Sequence, residues 1–205
     1  MDGVLIQSRD VIEFAWTSVA RKYGVGVDQT FIDDHIHGRP GGHTLQTLFG
    51  QFDEDQRVAI KQEVDAIEQV SNCPMVPGVA AFIARLKDRA VPLALVTSSW
   101  RARVDHVLQQ HDLTDVFDSI ICRDDVRSGK PAPDPYCLAA AQLGRQSAEC
   151  LVFEDSVSGV QSAVSSGAEC IGIGDDPTLI THGAAHSYMD FTLLPISLTG
   201  RLALP

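Results

Sequence analysis

From residue 74 onward, amphipathic stretches alternate with short runs that carry almost no polar residue. This periodicity predicts helices over 79–89, 101–111, 135–143 and 156–166, and strands over 92–96, 119–122, 150–153 and 170–173. A strand without polar alternation is buried on both faces, and a helix between consecutive strands is the crossover that parallel pairing requires. The pattern restricts this part of the chain to α/β architecture, a doubly wound parallel sheet covered by helices.

The residues before it read differently. Ile12, Trp16, Val19 and Tyr23 recur at helical spacing over 10–23, and Gly24 stands where a helix C-terminal glycine belongs. A second short helix is predicted over 31–36, ending at the loop His37-Gly38-Arg39-Pro40-Gly41-Gly42, and two more over 44–49 and 54–70. Residues 9–73 therefore read as an all-helical domain inserted into an α/β domain made of residues 1–8 and 74–205. A chain of 205 residues is long enough for one full core and a smaller satellite.

Composition excludes several function classes. A net charge of −11 without a lysine and arginine cluster argues against a nucleic-acid or anionic-membrane surface. Cys73, Cys122, Cys137, Cys150 and Cys170 are odd in number, scattered and never arranged as Cys-x-x-Cys, so they read as reduced thiols rather than disulfides or a zinc site. The N-terminal residues show no basic segment followed by an apolar one, and no apolar run approaches the ~20 residues of a membrane span, which favours the cytoplasm.

In an open parallel sheet, ligands sit beyond the carboxyl ends of the strands. The strand over 92–96 is followed by Thr97-Ser98-Ser99, hydroxyls and turn amides suited to an anion, or alternatively a helix cap. After 119–122 comes Ser128-Gly129-Lys130-Pro131-Ala132-Pro133-Asp134, where prolines stiffen the loop around a lysine that is either a fixed point charge or a solvated one. Leu151-Val152-Phe153 runs into Glu154-Asp155-Ser156. Adjacent carboxylates at a buried strand end call for a cation or a basic partner, unless they simply form an acidic helix cap.

These segments, taken with Met1-Asp2-Gly3-Val4-Leu5-Ile6-Gln7-Ser8, Gly159 and Gly167-Ala168, resemble the haloacid dehalogenase superfamily in order and spacing. More narrowly, they resemble its branch of β-phosphoglucomutase and the small sugar and polyol phosphatases. The resemblance implies hydrolysis of a small phosphorylated substrate through an aspartyl phosphate, with Mg²⁺ as cofactor. It makes Asp2 the general acid/base, with its backbone carbonyl on the metal. Thr97 and Ser98 would receive the phosphoryl group, and Lys130 would neutralise nucleophile and phosphate. Asp155 would be the further metal ligand, with Glu154 supporting the metal or the lysine. The helical insert resembles the family's mobile cap, where Arg39 would clamp the substrate from above or else be a surface residue.

The family pattern is Asp-x-Asp-Gly, and this sequence starts at the x. The nucleophile and its strand are expected upstream of Met1, and the 205 residues as written are expected to be inactive. A truncated, catalytically dead relative is the competing explanation. The helix around Ile12 to Trp16 carries no histidine, unlike the corresponding β-phosphoglucomutase helix, so a Mg²⁺-dependent phosphatase is expected ahead of a phosphomutase, and both ahead of a binding-only pseudoenzyme.

Overall fold

The computed structural model describes residues 1–194 apart from Gly38 and Pro40. The helical insert contains α1 (Arg9–Lys22), α2 (Gln29–His35), α3 (Gly41–Phe49) and α4 (Glu54–Val70). Their apolar stripes meet in one cluster built on Trp16, Val19, Leu48, Phe49, Ile60 and Val64. Phe49 is fully buried there, with the rings of Trp16, Tyr23 and Phe52 at 6.5, 6.2 and 5.9 Å. Local chemistry sets the ends of these helices. Asp28 accepts the Phe31 amide at 2.8 Å, Asp53 and Gln56 cap α4 reciprocally, and Gly24 takes φ +70° just past α1.

The α/β part follows as α5 (Val79–Lys87), β1 (Ala94–Val96), α6 (Arg101–Gln110), β2 (Ser119–Ile121), α7 (Asp134–Gln142), β3 (Leu151–Glu154), α8 (Val157–Ser166), β4 (Glu169–Ile173), α9 (Thr178–Thr181) and β5 (His186–Tyr188). Every strand pair is parallel, with Leu95 opposite Ile120, Phe153 opposite Ile171, and Ile171 opposite His186. The first strand begins two residues later than the apolar run, because Pro92 has no amide to donate and the Leu93 amide goes to the Asp118 carboxylate at 2.9 Å. α9 and β5 add to the predicted elements; β5 is half-buried and polar and so carries no apolar signal. No helix among the described residues is long and apolar enough to cross a membrane.

One feature departs from a single continuous sheet. Among the described residues β1 pairs only with β2, while β3, β4 and β5 form a second sheet, so β1 and β3 each have one unpartnered edge. Between the two sheets lies an apolar slot of about 280 Å³, walled by Leu5, Phe82, Leu95, Tyr136, Val152 and Phe153. Close-packed interiors rarely leave voids larger than one water, so this is a large gap at the centre of a core.

The slot makes packing uneven, and that is testable by urea unfolding. Phe49→Ala in the filled helical cluster is expected to cost about 3–5 kcal/mol. Leu95→Ala on the slot wall is expected to cost clearly less, about 2 kcal/mol, because one side of that residue already lacks contact partners. Equal losses would show the slot to be filled in solution.

Candidate active site

Three strand-end loops and the turn at residues 1–6 supply the site. Beyond β1, the Thr97 amide donates to the Ile121 carbonyl at 2.9 Å and its hydroxyl accepts the Ser99 amide at 3.1 Å. Thr97 is therefore a buried turn residue and not a helix cap; Trp100 occupies the cap position of α6. Ser98 is exposed, and the Ser99 hydroxyl donates to the Asp2 carboxylate at 3.0 Å.

Beyond β3, Glu154 and Asp155 part company. The Glu154 carboxylate is buried, accepting the Lys130 ammonium and the Tyr136 hydroxyl, while the Ser156 hydroxyl lies 3.4 Å away. Burial alone would raise its pKa, but the Lys130 charge and hydrogen bond override that and hold it below the ordinary range. The Tyr136 phenol moves the other way, well above its ordinary value, through burial and the neighbouring carboxylate. Lys130, with its side chain 10% exposed, is thus no solvated loop charge; it also reaches the Val96 carbonyl at 3.4 Å. Nor do the acids cap the helix, since Ser156 does so by accepting the Gly159 amide at 3.1 Å. Glycine is needed at 159 because a Cβ there would strike the Glu154 carboxylate.

Asp155 has no hydrogen-bond or ion-pair partner among the described residues. Burial first and the Glu154 charge second push it up to about 7. The turn carrying Asp2 comes close to it: Gly3 has φ +65°, and a Cβ there would collide with the Asp155 carboxylate. Asp2 is held on both oxygens, by Ser99 and by Arg103 Nη2 at 2.9 Å. Burial would raise the Asp2 pKa, but the Arg103 guanidinium holds it below the ordinary value.

Arg103 is the functional neighbour that residue type and strand-end position do not reveal. It is 1% exposed and also donates to the Glu68 backbone carbonyl at the end of α4. Its one sequence signal is a charged residue on the helix face otherwise made by Val104, Val107 and Leu108.

Asp2, Thr97, Ser98, Lys130, Glu154 and Asp155 all line one cavity of about 430 Å³ between the strand ends and the helical insert, with Arg39 at its wall. Arg39 is exposed and its Nε donates to the Asp34 carbonyl at 3.0 Å. Among the described residues no cluster of three or more histidine, cysteine, aspartate or glutamate side chains forms a ready metal cage. Mg²⁺ does not demand one, because it keeps several waters and takes only one or two carboxylates with hard oxygen ligands. The unpartnered Asp155 carboxylate fits such an ion. So does the Asp2 backbone carbonyl, which accepts no hydrogen bond from the described residues.

Parallel strands with helical crossovers, an inserted helical unit, and acid, lysine and hydroxyl groups converging at the strand ends define a Rossmannoid α/β enzyme. A sequence profile of the haloacid dehalogenase-like hydrolases matches residues 1–173, and the chain belongs to that family. Hexitol phosphatase A of Escherichia coli (strain K12) is 30% identical over 186 residues, covering 87% of this chain and 84% of that protein. Fructose-1-phosphate phosphatase YqaB of the same organism is 29% identical over 181 residues, covering 84% and 93%. Among solved structures, β-phosphoglucomutase from Clostridium difficile superposes with a TM-score of 0.77 at 23% identity, covering 93% of this chain and 88% of that one, which shows the shared fold.

A pH prediction follows from Glu68, whose carboxyl is raised by burial from an ordinary 4.5 to about 7, against the opposing pull of Arg103 and Lys61. The native state then binds the proton more tightly than the unfolded chain, so this group's stabilisation is full below the unfolded pKa and lost as pH rises through 7. Glu68→Gln is expected to gain stability over the parent between about pH 4.5 and 7.5, by up to the order of 3 kcal/mol. Urea titrations across that range without divalent metal measure it, and a pH-independent difference would contradict the assignment.

Proposed function

We propose that this chain is the scaffold of a Mg²⁺-dependent phosphatase acting on a small phosphorylated metabolite, a sugar, polyol or similar phosphomonoester. The observation that carries the proposal is the meeting, in one cavity, of Lys130 locked on Glu154, hydroxyls from Thr97 and Ser98, and the unpartnered Asp155 facing the Asp2 turn. A phosphoryl group placed there meets Lys130 and the Thr97-Ser98 segment as donors. Asp155 and the Asp2 carbonyl would hold Mg²⁺, which when bound offsets charge on the phosphoryl oxygens. Arg39, at the rim, is placed to meet the substrate from the side of the helical insert, the cap of this proposal.

The attacking carboxylate belongs, in this proposal, to an aspartate directly preceding Met1. The gap between the two half-sheets supports that position. The apolar slot lies between the unpartnered edges of β1 and β3, with Met1 on its wall. A single strand inserted there would pair with both edges and end among Lys130, Glu154 and Asp155. Attack on phosphorus forms an aspartyl phosphate while Asp2, once it has exchanged its Arg103 or Ser99 bond and taken up a proton, gives that proton to the leaving alkoxide. Asp2 then takes a proton from water, whose oxygen attacks phosphorus, releasing phosphate and restoring the aspartate.

Ile12 and Trp16 bring α1 to the cavity wall, and α1 contains no histidine, which favours hydrolysis over phosphoryl return to the sugar. The hexitol and fructose-1-phosphate phosphatases among the relatives point the same way. Five unpaired cysteines suit a reducing compartment, the cytoplasm.

Two measurements test the proposal. The chain from Met1 should show negligible turnover, because losing a nucleophile in a covalent mechanism costs about 10⁶-fold. The same chain extended by an apolar strand ending in aspartate should release inorganic phosphate from hexose 1-phosphate in Mg²⁺. Predominant isomerisation would indicate a mutase instead, and no reaction from the extended chain would indicate a binding protein. Separately, Mg²⁺ should raise the melting temperature of the parent chain near pH 7.5 but not that of Asp155→Asn, and an equal shift in both would remove Asp155 from the metal site.

A further inference from the structure

Glu68 takes no part in holding phosphoryl or metal in the arrangement above, yet it is one of the best-placed groups in the cavity. It lies in the last turn of α4, is 8% exposed, and lines the cavity wall opposite the strand ends. Its carboxylate has no hydrogen-bond or ion-pair partner among the described residues. Its backbone carbonyl is pinned by buried Arg103, so this turn is anchored to the core. Neither nearby cation pairs with its carboxylate: buried Arg103 is bonded to Asp2 and to the Glu68 backbone carbonyl. Lys61 is paired with Asp65 and sits over the rings of Trp16 and Trp100, at 6.0 and 5.4 Å from their centroids. What remains is a largely buried acid without a partner, in a cavity with two indole rings in its wall. Such a group is costly unless a ligand supplies donors.

We propose that Glu68 is a specificity-determining residue that accepts hydrogen bonds from hydroxyl groups on the non-phosphate part of the substrate, whose carbon chain packs against Trp100. The inference rests on the phosphatase reading and narrows it to polyhydroxylated monophosphates. A carboxylate is an acceptor only, so it rewards hydroxyl donors strongly through charge-assisted bonds and repels a second phosphate or a carboxylate on the ligand. A site built to bind hydroxyls discriminates sharply against an analogue that lacks them, because its own polar group is then left unpaired.

The test is equilibrium binding by calorimetry at pH 8 in Mg²⁺, with the 205-residue chain and three probes: inorganic phosphate, sorbitol 6-phosphate and n-hexyl phosphate. The parent is expected to bind sorbitol 6-phosphate at least about tenfold more tightly than n-hexyl phosphate. Glu68→Ala should lose about ten- to a hundredfold for sorbitol 6-phosphate and leave inorganic phosphate within about twofold. Glu68→Gln keeps the shape and a neutral acceptor, and should lose about three- to tenfold by the same comparison, which decides the matter if the alanine variant does not fold. Unchanged sorbitol 6-phosphate affinity in both variants, or an equal loss for all three probes, overturns the role of Glu68 alone. Failure of the parent to bind inorganic phosphate overturns the phosphatase reading itself, and this inference with it.

Discussion

Lys130 holds together what the strands do not. Its ammonium pairs with Glu154 at the carboxyl end of β3 and reaches the Val96 carbonyl at the carboxyl end of β1, so one side chain spans the two sheets across the apolar slot. The pair is buried, and burying two charges is costly unless each is fully hydrogen-bonded. Here Tyr136 supplies a further donor to the carboxylate, and its ring lies 5.1 Å from the ammonium. Removing one partner of such a pair typically costs about 3–5 kcal/mol, because the other charge is stranded. The lock thus fixes the rim of both sheets and, at the same stroke, holds the positive charge of Lys130 at the cavity, where the proposed function places the phosphoryl group.

Arg103 performs a similar task between the helical insert and the core. One arm binds the carboxylate of Asp2 and the other the carbonyl of Glu68 at the end of α4. A movement of the insert relative to the core therefore acts on a residue bonded directly to Asp2. In the arrangement seen here, Asp2 is occupied on both oxygens by Arg103 and Ser99, and the guanidinium holds its carboxyl below the ordinary pKa. In the proposed mechanism, proton transfer at the leaving group would require it to exchange at least one of these bonds, which would link Asp2 to the seating of the insert.

The alternation of helices and strands is legible because strands buried on both faces leave unbroken apolar runs such as Leu151-Val152-Phe153, and those runs also announce where ligands bind. Thr97, Lys130 and Asp155 could be picked out in this way, since each follows such a run. Other features have no local signature. β5 is short and half-buried, so His186-Ser187-Tyr188 reads as loop. Glu68 is one of several acids along α4, and only the packing of that helix against the core separates it from its solvent-facing neighbours. Arg103 looks like an interruption of an apolar stripe until Asp2, about a hundred residues earlier, folds against it. Long-range pairings of this sort are decided by which elements become neighbours, which periodicity does not encode.

The slot and the site are two aspects of one arrangement. The groups proposed to handle phosphate come from both half-sheets, with Thr97 beyond β1, Lys130 beyond β2, and Glu154 and Asp155 at the end of β3. Strands beside a gap would be free to shift relative to each other if the gap were their only relation, and the spacing of lysine, hydroxyl and acid would drift with them. They are fixed because polar contacts clamp the carboxyl ends while aromatic packing closes the region beside the slot, where Phe82 meets Phe153 and Phe191 at ring distances of 5.3 Å each. An extended segment entering the slot would therefore complete a sheet whose two borders are already in place. In the proposed enzyme its last residue would be delivered into a site organised before it arrives, the preorganisation on which electrostatic catalysis depends.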